Sequence, residues 1–483
     1  MNFLLRIFSG PIVFFLLYLL PIDGLPVEGR LVISCFGWMI TWWITHPVPW
    51  SIASLIPLIL FPVLGLLGLT ETVRLYGQSI FFWIWGCVLM GYAMERQGLA
   101  QRFSLWFLSL PLVSGSTRRM LFGFMLVTGL LSSHVSDAAA VAMMIPVALS
   151  LASYVRKVTR TDPQVKTNIG SFLVLGAMYA AAAGGIATIA GVPHNPLGVA
   201  LLEELTGRTL TWFQWMMVGG PIFLVALLVF FFILNWLLPP EIATIPGGDA
   251  YLRQERAKLG PMKQGEWVAL FIFLVMVALF MAPALVSLLL GNDHTISVWI
   301  ATSLSPWTVP PLILVLLFSV PADWKSKEMI LPWKEAVDHT PWNAMFMCVA
   351  GVAVSSTLSR HGFVEWMGGN LGQLGIGTYT LPFLASGLMS ILTNIIAGAP
   401  ATTLLGSILI PAAEQVNFNP ASMAMILPNM AVGFMLPWAG AVAGTTFASG
   451  EVDLKRMIRI GLVAELSLAG VVAVMHILFA SIL

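Results

Sequence analysis

Long apolar runs separated by short polar stretches make up most of this chain. The runs fall near residues 29–46, 48–69, 77–94, 212–238, 267–290, 309–320, 343–358 and 459–483. An α-helix rises about 1.5 Å per residue, so about 20 apolar residues cross a hydrocarbon core of roughly 30 Å. Most of the runs approach that length. The pattern therefore predicts an all-α polytopic membrane protein.

A shorter apolar segment lies near the start of the chain. It runs from Ile12 to Ile22, follows Arg6, and is not followed by a small-residue cleavage site. A removed signal peptide would carry such a site. We therefore expect residues 1–28 to form an N-terminal membrane span.

Two short apolar arms flank a polar turn in the first half of the chain. Neither Met120–Leu131 nor Ala138–Tyr154 comfortably crosses the hydrocarbon core. Basic residues precede the first arm and follow the second, namely Arg118, Arg119, Arg156, Lys157, Arg160 and Lys166. The positive-inside rule places both ends in the cytoplasm, which predicts a re-entrant hairpin over 118–157. Its irregular tip has to be buried in protein or to line a wet cavity.

A second hairpin is predicted over 380–415, with its turn at AGAPATT, residues 397–403. Its flanking sequences contain no Lys or Arg apart from Arg360 just upstream, so we expect it to enter from the outer side. Each hairpin is followed by an apolar helix with an internal break. These broken helices are predicted over 170–205, interrupted at AGVPHNP, and over 421–455, interrupted at LPWAGAVAGTT.

A weak internal repeat connects the two halves. Arg96 and Gly98 recur as Arg360 and Gly362, each 264 positions later. Two copies with opposite orientation and paired helix breaks are typical of inverted-repeat transporters. We therefore predict a first repeat over 29–238, a cytoplasmic loop over 239–266 and a second repeat over 267–483.

Composition excludes several other classes of protein. The chain is 58% hydrophobic and 9% charged, with a net charge of +1 and no long basic run, which gives no support for nucleic-acid binding. Its three cysteines, Cys35, Cys87 and Cys348, all lie in apolar segments and suggest neither a metal site nor a disulfide framework. No cofactor is predicted.

Polar groups at the tips and breaks form the candidate site. A broken helix leaves free N–H groups and a positive dipole end that suit an anion, while the preceding carbonyls suit a cation. Ser136 or Asp137 can cap a helix opening at Ala138, and Asn195 can cap a helix opening at Pro196. Ala399-Pro400 and Gly444-Thr445 mark the corresponding starts in the second half. The alternative interpretation is that Asp137 and Asn195 only cap helices.

Two histidines near the tips are candidate proton carriers. His134 and His194 could transfer protons or could be hydrogen-bonded core residues. His134 with Asp137 could also form a general acid–base pair in a membrane-embedded enzyme, although paired breaks and inverted hairpins would have no role there.

Four segments resemble successive helices of the divalent anion:sodium symporter family, the carriers of dicarboxylates, citrate and sulfate. They are PWSIASLIPLILFPVLGLL, GCVLMGYAMERQGLAQRFSL, GFMLVTGLLSSHVSDAAAVAMMIPVALSL and FMLPWAGAVAGTTFASGEVDLKRMIRIGL. The resemblance covers nearly the whole chain. It implies a homodimer with an elevator-type movement, and hairpin-tip and break motifs that bind sodium and a substrate carboxylate.

The chain departs from the family at those motifs. The family's Ser-Asn-Thr signature corresponds to Ser136-Asp137-Ala138 at the first tip and to Ala397-Gly398-Ala399 at the second. The first break reads Val192-Pro193-His194-Asn195 and keeps the asparagine, whereas the second reads Gly440-Ala441-Val442-Ala443 and keeps no polar side chain. We therefore expect at most one sodium site, in the first half, with a proton as the other candidate coupling ion.

These considerations define three candidate sets. The substrate-binding set is Ser136, Asp137, Ala138, Pro193, His194, Asn195, Ala397, Gly398, Ala399 and Ala441. The coupling-ion set is Ser133, Ser136, Asp137, Gly191 and Asn195. The proton-relay candidates are His134 and Asp137.

The predicted function is secondary transport of a small anionic, dicarboxylate-like substrate across a bacterial inner membrane. The expected partners are that substrate, the lipid bilayer and a second copy of the chain. A sodium-independent uniporter or exchanger of the same fold is the nearest alternative, and a membrane-embedded enzyme is a more distant one.

Overall fold

The computed structural model describes residues 3–162, 165–291, 293–304, 307–363, 365–366 and 376–483. Most of the polar sequence that precedes the second predicted hairpin lies outside these residues.

The first half of the chain is helical. Its helices are α1 Phe3–Leu19, α2 Val27–Thr45, α3 Trp50–Ala53, α4 Ile56–Val63, α5 Leu69–Tyr76, α6 Ser79–Arg96, α7 Leu99–Leu108, α8 Pro111–Ser114, α9 Thr117–Ser132, α10 Asp137–Thr159, α11 Asn168–Ala187, α12 Asn195–Thr206 and α13 Trp212–Leu237.

The second half adds a short two-stranded sheet, in which β1 Pro321–Asp323 pairs antiparallel with β2 Glu328–Met329. Its helices are α14 Gly248–Lys258, α15 Gln264–Leu290, α16 Thr295–Ser303, α17 Val309–Ser319, α18 Trp333–His339, α19 Trp342–Arg360, α20 Thr380–Thr393, α21 Gly398–Gln415, α22 Pro420–Asn429, α23 Ala441–Ala448 and α24 Leu454–Phe479.

Seven helical stretches within the described residues are long and apolar enough to cross a membrane. They are Leu69–Arg96, which joins α5 and α6, and helices α10, α11, α13, α15, α19 and α24. This confirms the prediction of an α-helical membrane protein. Only 22% of the apolar window of α15 is buried within the protein, whereas the window of α11 is buried completely. Helix α11 therefore forms the centre of the molecule, and α15 lies at its periphery.

Small residues allow the backbone of α11 to approach the first hairpin closely. A Cβ atom at Gly184 would lie 2.1 Å from the Gly129 carbonyl oxygen of α9. Such contacts are typical of tightly packed membrane helices, where small side chains let backbones meet. Ser132 adds a polar link, because its hydroxyl donates to the Ala181 carbonyl at 2.6 Å. The hairpin arm is thus fixed to the central helix.

The structure divides one predicted apolar run and adds a helix to one predicted loop. The apolar run at 48–69 is divided into α3 and α4, with prolines at 49, 57 and 62. Proline removes a backbone donor and interrupts a continuous helix. The predicted cytoplasmic loop at 239–266 contains the helix α14, which contacts α7 and α8, and its location in the cytoplasm stays a prediction.

Each predicted hairpin region contains two helices joined by a tight turn. Residues 133–136 separate α9 from α10, and residues 394–397 separate α20 from α21. Each predicted broken helix is likewise two helices, α11 and α12 in the first half and α22 and α23 in the second. A single 3₁₀ turn, Ile189–Gly191, lies inside the first break. Whether the hairpins re-enter the membrane stays a prediction.

Two ion pairs connect the halves reciprocally. Arg96, at the end of α6, binds Glu335 of α18 at 2.6 Å, and Arg360, at the end of α19, binds Glu71 of α5. Glu71 and Glu335 are themselves 264 positions apart, the offset that relates Arg96 to Arg360. Both arginines precede a glycine with positive φ, 79° at Gly98 and 76° at Gly362. Each half therefore supplies the acid for the other half's arginine.

Candidate binding site

The first hairpin tip is held by its own polar side chains. The Ser136 hydroxyl accepts from the Ala139 N–H at 3.3 Å, and Asp137 Oδ1 accepts from the Ala138 N–H at 2.7 Å. Ser136 is therefore the N-cap of α10. The helix begins one residue earlier than the sequence suggested, so Asp137 is its first residue and accepts from another N–H of the first turn. The side chain of Asp137 is nevertheless buried, with 8% of the residue exposed. A carboxylate is thus enclosed beside an irregular stretch of backbone.

The first helix break is tied to this tip. Thr188 directly follows α11, and its hydroxyl donates to the Ser133 carbonyl. Asn195 Nδ2 donates to the Gly185 and Thr188 carbonyls, both at 2.8 Å. Asn195 therefore closes the break by binding the carbonyls before it. It does not act as the N-cap expected from the sequence, because α12 already begins at Asn195.

Two buried polar atoms at this break lack a partner within the described part of the chain. They are Asn195 Oδ1 and His194 Nε2. Buried polar atoms are nearly always hydrogen-bonded in folded proteins, so each unsatisfied atom calls for an explanation. A bound ion or substrate beside the break would supply one for Asn195. Pro193 and Gly191 place backbone carbonyls in the same segment, and the Pro193 carbonyl lies 3.9 Å from Cys348 Sγ of α19.

The second hairpin tip is built from backbone. Ala397 precedes α21 without a side-chain cap, so the first N–H groups of α21 have no side-chain partner. A Cβ atom at Gly398 would lie 2.3 Å from the Ala431 carbonyl oxygen, so only glycine lets this tip contact the second break. The neighbouring Ala399 is partly exposed.

The outgoing helix of the second break starts earlier than the sequence suggested. Helix α23 begins at Ala441, after Gly440 with an extended φ of 174°, and not at Gly444. No side chain caps it. Because Ala441 has no polar side-chain group, the start of α23 had no local signal in the sequence.

The broken helices of the two halves pack against each other. Helix α12 contacts α21 and α22 of the second half, and a Cβ atom at Gly198 would lie 2.2 Å from the Ala424 carbonyl. Helix α23 in turn contacts α10 and α11 of the first half. The two breaks and the two tips are therefore parts of one assembly.

The structure does not bring the two proton-relay candidates together. His134 Nδ1 lies 2.6 Å from the Ser133 hydroxyl, and its ring packs edge-on against Phe273 of α15 at 5.4 Å. The histidine lines a cavity of about 630 Å³ with Arg102 and Arg256. Within the described residues, no hydrogen bond joins His134 to Asp137.

A polar pair that the sequence interpretation missed lies under the second tip. Glu465, in the middle of α24, is 1% exposed, and its Oε1 accepts from Asn394 Nδ2 at 2.6 Å. Asn394 Oδ1 accepts from the Met435 N–H at 3.3 Å, which links the tip to the second break. The sequence did contain a signal for Glu465, because an acidic residue within a long apolar run indicates a functional site.

The chain has clear relatives. The family model of the sodium:sulfate symporter transmembrane region matches residues 4–483. A sodium-dependent dicarboxylate transporter, SdcS, from Staphylococcus saprophyticus is 31% identical over 490 residues, covering 99% of this chain and 92% of the relative. The transporter of the same name from Staphylococcus aureus is 29% identical over 470 residues, covering 95% of this chain and 87% of the relative.

Two solved structures share the fold at low sequence identity. MtrF of Neisseria gonorrhoeae, described among antimetabolite efflux pumps, superposes with a TM-score of 0.55 at 13% identity and covers 95% of this chain and 96% of its own. The YdaH transporter of Alcanivorax borkumensis gives a TM-score of 0.51 at 13% identity, covering 88% of both chains. At this identity the likeness concerns the fold alone.

Proposed function

The chain belongs to the sodium:sulfate symporter family, and from this premise we propose that it moves a small dicarboxylate-like anion across the bacterial plasma membrane. It is a secondary transporter and not an enzyme. Transport is ion-coupled, and the staphylococcal relatives are named as sodium-dependent dicarboxylate transporters.

One observation carries the proposal: the tip and break of the first half form a closed polar assembly with an unused acceptor. Asn195 Oδ1 is fully buried without a partner among the described residues, while Asn195 Nδ2 holds two carbonyls of the break. Broken helices in inverted-repeat transporters place such groups at the substrate and ion sites. The arrangement therefore favours ligand binding between the first tip and the first break.

The substrate is proposed to meet helix starts from both halves. N–H groups at the start of a helix and its positive dipole end favour an anion. Ala138, Gly398 and Ala399 lie at the starts of α10 and α21, and Ala441 lies at the start of α23. Ser136, Pro193 and His194 complete the proposed surface. Backbone donors then take the place of the polar side chains that are missing at residues 397–399 and 440–443.

A single sodium ion is proposed at the first tip. Oxygen atoms available there are Asn195 Oδ1, the Asp137 carboxylate and the Ser136 hydroxyl, together with carbonyls near Gly191 and Ser133. These atoms match the unwound carbonyls and helix ends that bind sodium in broken-helix transporters. Since Asp137 carries a negative charge when ionised, it suits the cation better than the anionic substrate.

The domain arrangement is also part of the proposal. The reciprocal ion pairs of Arg96 and Arg360 support two inverted repeats, because a two-fold relation makes each half contact the other in the same way. Membership of the family supports a homodimer with an elevator-type movement.

Counterflow in proteoliposomes tests the function. Vesicles containing the purified protein and unlabelled C4-dicarboxylate should accumulate the labelled compound, and sulfate, citrate and amino acids should be compared as competitors. Uphill uptake in sodium buffer should saturate with a Hill coefficient of about one. Absence of counterflow with every dianion, or chemical conversion of the substrate, would contradict the proposal. A Hill coefficient well above one would contradict the single sodium site.

A further inference from the structure

We propose that Glu465 is a proton-binding residue of the transport cycle, located under the tip of the second hairpin. The inference rests on the proposed transport function and adds a coupling group in the half of the molecule whose motif positions, residues 397–399, carry no polar side chain. The first observation is its position. Glu465 is the twelfth residue of the 26-residue helix α24, whose apolar window qualifies as a membrane span.

The second observation is an unpaired carboxylate oxygen. Glu465 Oε1 accepts from Asn394 Nδ2 at 2.6 Å, and the Ser390 side chain and the Phe434 backbone also interact with the carboxylate. Oε2 is nevertheless buried without a partner in hydrogen-bond geometry in the described part of the chain. An ionised carboxylate in such a place carries a large desolvation penalty. A proton on Oε2 removes the charge and turns the unpaired acceptor into a hydroxyl.

The third observation is the lack of a compensating cation. The helices that pack against α24 are α13, α20 and α22, and none of them contains a titratable residue. Tyr179 of α11 interacts electrostatically with Glu465, but it supplies no positive charge.

The charged residues of α24 itself also do not pair with Glu465. Lys455, Arg456 and Arg459 lie in the first two turns of α24, and His476 binds Asn429 at 3.1 Å. No ion pair with Glu465 occurs among the described residues.

The fourth observation connects Glu465 to the parts proposed to bind substrate. Asn394 immediately follows α20 at the second tip, and its oxygen binds the Met435 N–H in the second break. Asn394 Nδ2 also donates to the Ser390 carbonyl at 2.8 Å. A change of protonation at Glu465 therefore acts on one amide that holds both the tip and the break.

The two halves differ at this position. Helices α13 and α24 both have 26 residues, and the twelfth residue of α13 is Phe223. The ring of Phe223 packs against the first hairpin, 2.6 Å from where a Cβ atom on Gly129 would lie. In the second half the same helix position is Glu465 of α24, whose carboxylate contacts Asn394 at the hairpin tip. A carboxylate is therefore not required for this helix to pack against a hairpin, which supports a specific role for Glu465.

Infrared difference spectroscopy tests the protonation directly. Purified wild-type protein in acidic minus alkaline buffer should show the C=O band of a buried carboxylic acid, and the band should be missing in Glu465→Gln. The exposed carboxylate of Glu203 on α12 provides the matched control, and Glu203→Gln should keep the band. A wild-type spectrum without a band that depends on Glu465 would overturn the proposal and would favour a bound sodium ion instead.

Proton flux provides the functional test. Substrate entry into vesicles of wild-type protein should make the external medium more alkaline, and this signal should be absent in Glu465→Gln and retained in Glu203→Gln. Counterflow by wild-type protein without any proton flux would overturn the role of Glu465 while leaving the transport function intact. Absence of wild-type counterflow would instead count against the proposed function.

Discussion

At the residue scale, Asp137 combines a structural task with a charge. Its Oδ1 accepts from the Ala138 N–H in the first turn of α10, and the side-chain oxygen of an asparagine in the same place can accept the same hydrogen bond. Replacing Asp137 by Asn therefore separates the charge from the hydrogen bond. This makes the conservative variant more informative than alanine, which would remove both.

We predict that protons compete with sodium at Asp137. In wild-type protein the KM for sodium should rise as the pH falls, because a protonated carboxyl group binds a cation poorly. In Asp137→Asn the sodium KM should no longer depend on pH, while the melting temperature in detergent stays close to that of wild type. Uptake kinetics at several pH values measure this. An Asn variant whose sodium KM follows the wild-type pH dependence would show that Asp137 only holds the first turn of α10.

We predict a stronger structural effect at Asn195. In Asn195→Ala the Gly185 and Thr188 carbonyls lose their donors inside a buried break, which should cost about 1–3 kcal/mol of stability. The KM for sodium should rise as well, because the proposed ligand Asn195 Oδ1 is lost. Asn235→Ala, on α13 away from the break, is the matched control and should keep the wild-type KM for sodium. Equal sodium KM values in the two variants would contradict a sodium ion at Asn195 Oδ1.

Residue-level prediction from the sequence succeeded where the determining contacts are local. The Ser136 cap and the bond from the Ala138 N–H to Asp137 join neighbouring residues in the chain, although α10 begins at Asp137 and not at Ala138. The actual role of Asn195 depends on carbonyls seven and ten residues earlier, and the partner of Glu465 is 71 residues away. Such contacts are set by tertiary packing, so a local pattern does not predict them.

At the element scale, hydrophobic runs located most of the helices but not their interruptions. The start of α23 at Ala441 has no capping side chain, and the division of α3 from α4 depends on prolines within an apolar run. The two hairpins are predicted from basic residues that mark the ends of the first and are scarce around the second, and the two breaks from the interruptions AGVPHNP and LPWAGAVAGTT. The sidedness of these elements remains a prediction from charge.

Labelling of single cysteines tests that sidedness. Cys35, Cys87 and Cys348 are all buried, so the background reactivity of the wild-type chain should be low. Lys157→Cys, near the end of α10, should react from the cytoplasmic side, and Gln415→Cys, at the end of α21, should react from the outer side. Membrane-impermeant maleimide applied to cells and to inverted vesicles distinguishes the two. Labelling of both positions from the same side would contradict the inverted repeats.

At the scale of the whole molecule, the reciprocal ion pairs reveal a relation that the sequence showed only in part. The repeated Arg and Gly are visible in the sequence at a spacing of 264 residues. The equivalence of Glu71 on α5 and Glu335 on α18 is evident only from the ion pairs that they form in the structure. The pairs are unequal. The Arg96 side chain is 19% exposed and binds both Glu335 and Glu328. The Arg360 side chain is 46% exposed, and Glu71 is its only ion-pair partner among the described residues. The Arg96 guanidinium also holds the pKa of Glu335 below its usual range.

Double-mutant cycles on melting temperature test this reciprocal arrangement. Arg96→Ala and Glu335→Ala should show measurable coupling, and Arg360→Ala with Glu71→Ala should show weaker coupling, because the second pair is more exposed to water. Both couplings should shrink at high salt, since ions screen exposed charges. Acidification should remove the coupling between Arg96 and Glu335. Because the folded-state pKa of Glu335 is lowered, its ion pair stabilises the protein above the unfolded-state pKa, and this stabilisation is lost as the pH falls through the folded-state pKa.

The control cycle combines Arg96→Ala with Glu71→Ala, which lie in the same half and should not couple. Coupling in this control cycle, with none between Arg96 and Glu335, would show that the halves are not joined in the crossed manner that an inverted repeat requires.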